Sequence, residues 1–97
     1  MRVISFKRIR EFIAMHPDPG SSLTPWYKTA KRADWRSLAD VKQVYRSADL
    51  VGRYTVFNIK GNSYRLIARI AYRSKILFVI AILTHQEYDL GKWKGKE

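Results

Sequence analysis

Three arginines recur at four-residue spacing, at Arg65, Arg69 and Arg73, in a segment from Gly61 to Arg73 that holds no acidic residue. Further on, the hexapeptide THQEYD supplies a histidine, a tyrosine and an aspartate at His85, Tyr88 and Asp89. A guanidinium offers a planar fork of donors that matches phosphate oxygens better than an ammonium does. An imidazole with an ordinary pKa near 6.5 can move protons at neutral pH. Several cations, a phenol and one imidazole suit RNA cleavage, in which the 2′-hydroxyl of the RNA attacks the neighbouring phosphate. The protein then needs only to assist proton movement and to stabilise charge on the pentacovalent phosphorus.

Other chemistries fare poorly. Cysteine is absent, which excludes thiol catalysis, disulfides and thiolate metal sites. The two histidines, His16 and His85, lie far apart and show no metal-ligand spacing. No phosphate-cradling glycine loop or nucleophile elbow occurs, so neither metal nor cofactor is expected. The charge balance points the same way as the arginines: 19 Lys+Arg against 8 Asp+Glu give +11 and a pI of about 10.3. Such a chain is drawn to polyanions, nucleic acid first among them, although an acidic protein partner would use the same residues. Between Asp49 and Glu87 there is no acid, while Lys60, Lys75 and the three arginines all fall there.

Apolar spacing predicts the elements that hold these residues. Phe6, Ile9, Phe12 and Ile13 mark a helix over 6–15, with Ser5 as its cap. HPDPGSS should stop that helix and place His16 on the surface. A second helix is expected from about Leu23 to Ala33, with Trp26, Tyr27 and Ala30 inward. A third lies over SLADVKQVY, with Leu38, Val41, Val44 and Tyr45 as its stripe. After ADLVG the period changes to two. Tyr54 to Ile59, Ser63 to Tyr72 and Ile76 to Thr84 read as three antiparallel strands joined by KGN and RSK turns. The last strand is apolar enough to be central or covered on both faces. MRVISF is a candidate fourth strand, and HQEYDLGKW has room for one helical turn.

Residues two apart on a strand share a face. Arg65, Ile67, Arg69, Ala71 and Arg73 therefore belong to one side, with successive guanidiniums roughly 13 Å apart along the strand. Tyr64, Leu66, Ala68, Ile70 and Tyr72 form an apolar row on the other side. A plain solvated face would serve for the first set, but the missing acid favours an anion-binding face. His85 follows the third strand directly, so a neighbouring antiparallel strand brings it toward the arginines. The chain is read as one domain over 1–97 of α+β class, helices first and then a twisted antiparallel sheet of three to four strands. No apolar run has the form of a signal peptide or a membrane span, so a soluble cytoplasmic protein is expected.

Val56 to Asp89 resembles the HigB toxin family of type II toxin–antitoxin systems, within the RelE/ParE superfamily. The resemblance rests on the hairpin VFN-x-x-GN-x-YRL followed by TH-x-EYD, and upstream on Trp35 and SLADVKQVY. It implies an mRNA interferase that cuts translated messages on the ribosome, an antitoxin partner, and helices packed on a twisted sheet. The antitoxin is expected to be a helix-turn-helix protein encoded by the adjacent gene. Residue by residue, the resemblance and the face argument nominate Arg65, His85, Tyr88 and Lys60 for catalysis. Asn58, Arg69, Arg73, Lys75 and Lys92 are nominated for RNA contact, and Gly61, Asn62 and Asp89 for support. On charge, an acidic antitoxin segment is expected to cover part of the Arg65–Arg73 face. The competing reading is a non-catalytic inhibitor or nucleic-acid-binding module on the same scaffold, such as one directed at gyrase.

Overall fold

A computed structural model describes residues 1–4, 6–15, 17–61, 63–91 and 93, leaving aside the side chains of residues 6 and 17–21. Ser5, His16, Asn62 and Lys92, each given a part above, lie outside the described residues. The first helix, α1, occupies Phe6–Met15 as its periodicity predicts, with Ile9 fully buried and Phe12 and Ile13 half-buried. The second, α2, spans Pro17–Arg32 and so starts well before the expected Leu23. Prolines at 17 and 19 open this helix instead of breaking the chain into a loop. A first helical turn has no use for their missing N–H groups, and their fixed φ already suits it. Pro25 forgoes one backbone hydrogen bond within α2, while Leu23, Trp26 and Ala30 fill the core beneath it.

α3 spans Leu38–Val44 and buries Val41 completely, whereas Val44 is 54% exposed, against expectation. At about 100° per residue, Leu38 and Tyr45 fall on one side of Val41 and Val44 on the other. The core meets only the first side.

Five strands form one sheet: β1 (Arg2–Ile4), β2 (Asp49–Val51), β3 (Tyr54–Ile59), β4 (Tyr64–Ala71) and β5 (Ile76–Thr84). Their order is β1-β5-β4-β3-β2, antiparallel except that β1 pairs parallel with β5. The sheet is therefore mixed and five-stranded, where an antiparallel sheet of three to four strands was expected. β2 escaped because three residues are too few to display a period. It joins β3 through a two-residue turn opened by Gly52 at φ +61°. β5 is an inner strand, as its apolarity suggested, yet only Leu77 and Val79 on it are buried. β1 reaches only as far as Phe78. Beyond that point the Ile80 carbonyl accepts a hydrogen bond from Arg8 of α1 at 2.7 Å.

Tyr64, Leu66, Ala68, Ile70 and Tyr72 all join the helix-side core, as alternation predicts, together with Phe57, Leu77 and Val79. Aromatic rings meet edge to face across the layer, Phe12 on Tyr64 at 5.6 Å and Trp26 on Phe57 at 5.3 Å. Each fully buried side chain of this kind contributes roughly 1.5–3 kcal/mol, so this layer holds the helices to the sheet. The opposite face was expected to be an open, anion-binding one. Instead it carries a second, smaller core of Tyr54, Val56, Ile67 and Trp93. The segment after β5 turns back over the sheet and lays Trp93, 2% exposed, upon it. Ile80 is an extra residue in β5, since Ile67 pairs with Ala81 and Ala68 with Val79. Such a bulge puts neighbouring side chains on one face, and both Ile80 and Ala81 adjoin the second core. Among the described residues, no helix is long and apolar enough to cross a membrane.

Candidate functional site

The helix after β5, α4 (His85–Asp89), begins with a reciprocal cap. The Thr84 hydroxyl accepts from the Glu87 amide at 3.1 Å, and Glu87 Oε1 accepts from the Thr84 amide at 2.9 Å. This is the T-x-x-E pattern that satisfies two orphan donors at a helix start. It explains the threonine and glutamate of THQEYD as structural residues, and that spacing alone would have revealed it. With the start of α4 pinned there, its residues are placed in turn. His85 and Asp89, one helical turn apart, face each other with Nδ1 to Oδ2 at 3.0 Å, both substantially exposed. A carboxylate on Nδ1 fixes the tautomer that leaves Nε2 available.

The His85 amide also donates to the Ser63 carbonyl at 3.0 Å, tying α4 to the β3–β4 turn. Tyr64 pairs with Thr84 and Arg65 with Leu83, so His85 lies just past the end of the ladder that carries Arg65. Asn58 faces Arg65 from β3. In the turn, Gly61 has φ +62°, as a glycine there should, and Lys60 has φ +51°. A side chain in that left-handed region costs roughly 1–2 kcal/mol, so Lys60 breaks a local preference beside the site.

Arg65 is not open as expected: it is 8% exposed. Its guanidinium carbon lies 5.5 Å from the centre of the Tyr88 ring, and one of its nitrogens donates to the Tyr64 carbonyl at 3.2 Å. The Tyr88 ring stacks on Trp93 at 5.2 Å and 15°, and Trp93 Nε1 donates to the Tyr88 carbonyl at 3.0 Å. Sequence reasoning passed over Trp93 because the sheet residues it packs on, Tyr54, Val56 and Ile67, lie far earlier along the chain. A partly desolvated cation–π contact contributes on the order of 0.5–2 kcal/mol, so the tyrosine both covers and orients the arginine. Burial pushes the Tyr88 hydroxyl above its ordinary pKa; Arg65 opposes that shift, while Asp49 and Asp89 add to it. At neutral pH Tyr88 is therefore a hydrogen-bond donor, not a base.

The remaining nominated cations do not gather here. Arg69 is exposed and separated from Arg65 along the strand by fully buried Ile67. Arg73 lies past the end of β4, and with Arg36, Tyr72 and Lys75 it lines a pocket at the far end of the sheet. Lys75 is ion-paired with Asp34 at 2.7 Å, an acid from a different part of the chain that a local scan could not find. Arg65 to Arg73 thus form no continuous face, and an acidic antitoxin segment laid along one no longer follows. Asn62 and Lys92 fall outside the described residues. Among those described, no three His, Asp or Glu side chains come together as a metal site.

A family profile described as HigB toxin, RelE-like toxic component of a toxin–antitoxin system, matches residues 20–91. The mRNA interferase toxin HigB of Escherichia coli K12 is 25% identical over 104 aligned positions that span the whole of both chains. The mRNA interferase HigB of Shigella flexneri matches to the same extent. That of Escherichia coli O6:H1 is 27% identical over 92% of this chain and 89% of its own.

Proposed function

This chain belongs to the HigB toxin family of RelE-like toxic components of toxin–antitoxin systems, and from that premise we propose that it is an mRNA interferase. It cuts messenger RNA in the cytoplasm as the message is translated on the ribosome, and so arrests growth until an antitoxin binds it. The antitoxin is a helix-turn-helix protein encoded beside it. The single observation that supports this reading most is the cap at Thr84, which sets the His85–Asp89 pair beside the Arg65–Tyr88 pair at one end of the sheet.

In the reaction, Arg65 and Lys60 face the scissile phosphate, and their charge opposes the negative charge that builds up on its oxygens. His85, held through Nδ1 by Asp89, moves the proton at Nε2. Tyr88 donates a hydrogen bond as a neutral phenol and keeps the Arg65 guanidinium in plane. Asn58, beside Arg65 on the next strand, contacts the RNA. The nucleophile is the RNA's own 2′-hydroxyl, so the bond to the 5′ oxygen breaks as the new one forms.

Inducing the wild type and the Arg65→Ala and His85→Ala variants in cells, then mapping messenger 5′ ends, tests this. New ends inside translated messages are expected with the wild type and lost in both variants. Growth arrest by the wild type without new ends would refute the nuclease reading in favour of a non-catalytic inhibitor. Cuts that persist in both variants would move the chemistry to other residues.

A further inference from the structure

The end of the sheet away from His85 holds a second set of cations that the cleavage chemistry does not use. A surface pocket of about 380 Å³ is lined by Arg36, Tyr72, Arg73 and Lys75. Lys75 Nζ lies 2.7 Å from Asp34 Oδ1 and donates to the Trp35 carbonyl at 3.4 Å. Arg36 approaches the other oxygen of the same carboxylate at 3.9 Å. Asp34 thus holds two cations on the pocket wall, and a second acid, Asp40, accepts from the Arg36 amide at 2.9 Å and acts on Tyr72. With exposed Arg73 beside them, the cations of this corner still outnumber its acids.

The backbone carries an independent sign. Among the described residues, the only non-glycine positions with positive φ are Lys60 at +51° and Lys75 at +60°. Glycine or asparagine adopts that conformation more readily, yet each end of the sheet has a lysine in its turn. From Arg65 to Arg73 the strand direction covers roughly 26 Å at about 3.3 Å per residue, too far for both ends to meet one phosphate.

We propose that the Arg36–Arg73–Lys75 pocket is a second RNA-backbone site, which grips phosphates several nucleotides away from the bond being cut. It rests on the nuclease reading above and extends it. The pocket supplies affinity and register, and the His85 end supplies chemistry.

The test is the salt dependence of binding, measured by fluorescence anisotropy on single strands carrying 2′-O-methyl groups, which cannot be cleaved by 2′-attack. Two lengths are needed, one reaching a single end of the sheet and one spanning both. The double variant Arg36→Ala/Arg73→Ala removes two exposed charges and leaves the Lys75–Asp34 pair in place. The wild type should bind the longer strand more tightly. In the variant that advantage disappears, and the log–log salt slope on the long strand falls by about 1.4, at ~0.7 per phosphate contact. Unchanged binding and slope on the long strand, or equal weakening on both lengths, would overturn the proposal. So would a variant that loses antitoxin affinity while keeping its RNA affinity, since the pocket would then dock protein. Because the strands are uncleavable, the result stands apart from whether the wild type cuts messages in cells.

Discussion

The two ends of β4 hold their cations by different means. At the end beside α4, Arg65 is buried and lies against the Tyr88 ring, itself stacked on Trp93. At the other end, Lys75 and Arg36 share Asp34 in the open, with side chains between 41% and 79% exposed. An arginine covered by rings keeps one orientation and feels little screening, whereas exposed pairs are mobile and weakened by salt. The first arrangement suits a transition state that demands geometry. The second suits a polymer that needs only to be held.

That contrast can be broken most severely at Trp93. Trp93→Ala should cost about 3–5 kcal/mol, the usual range for emptying a buried tryptophan site. Urea unfolding would measure it, and a loss below about 0.5 kcal/mol, within the range of an ordinary surface change, would mean the second core does not secure α4. Arg65→Lys keeps the charge but loses the fork and the flat stacking surface. Cleavage should fall by more than about tenfold, given that one charge-assisted hydrogen bond contributes roughly 1.5–3 kcal/mol, and stability should fall by no more than the roughly 0.5–2 kcal/mol of the weakened cation–π contact. Thr84→Ala removes the cap and should destabilise by about 1 kcal/mol, while also lowering cleavage because His85 loses its fixed place.

The smallest effect belongs to the open end. Hydrogen bonding and charge attraction from Lys75 lower the Asp34 pKa below its ordinary 3.8. A depressed folded-state pKa contributes stability that is present above 3.8 and lost as pH falls through the lower value. The melting temperature of Asp34→Asn should therefore sit slightly below that of the wild type at neutral pH and converge with it in acid. Added salt should close the gap. A gap that persists in high salt would make the open end more like the covered one.

Much of this architecture is legible from periodicity. The bounds of α1, β3 and β5 match their patterns to the residue, and the two faces of β4 divide as alternation requires. What was not legible depends on contacts distant in sequence or on very short elements. β2 has three residues, and the parallel pairing of β1 with β5 joins the start of the chain to its last strand. Pro17 and Pro19 read as breakers because the same residue ends one helix and begins another. At the site, the positions of His85, Tyr88 and Asp89 follow from T-x-x-E and helical spacing. The covering of Arg65 does not, since it needs Trp93 to return to the sheet. Nor does the fate of Lys75, whose acid sits 41 positions earlier.

The central claim is that His85, oriented by Asp89, moves the proton in RNA cleavage. It is tested most directly by the cleavage rate of a translated message in a purified translation system, followed against pH for the wild type, His85→Ala and Asp89→Asn. His85→Ala should lose at least about 100-fold, the lower range for a positioned acid–base group. Asp89→Asn should lose less, since the imidazole keeps its place in α4 and loses only the carboxylate on Nδ1. A His85→Ala protein that cuts at the wild-type rate, with the same pH profile, would contradict the account.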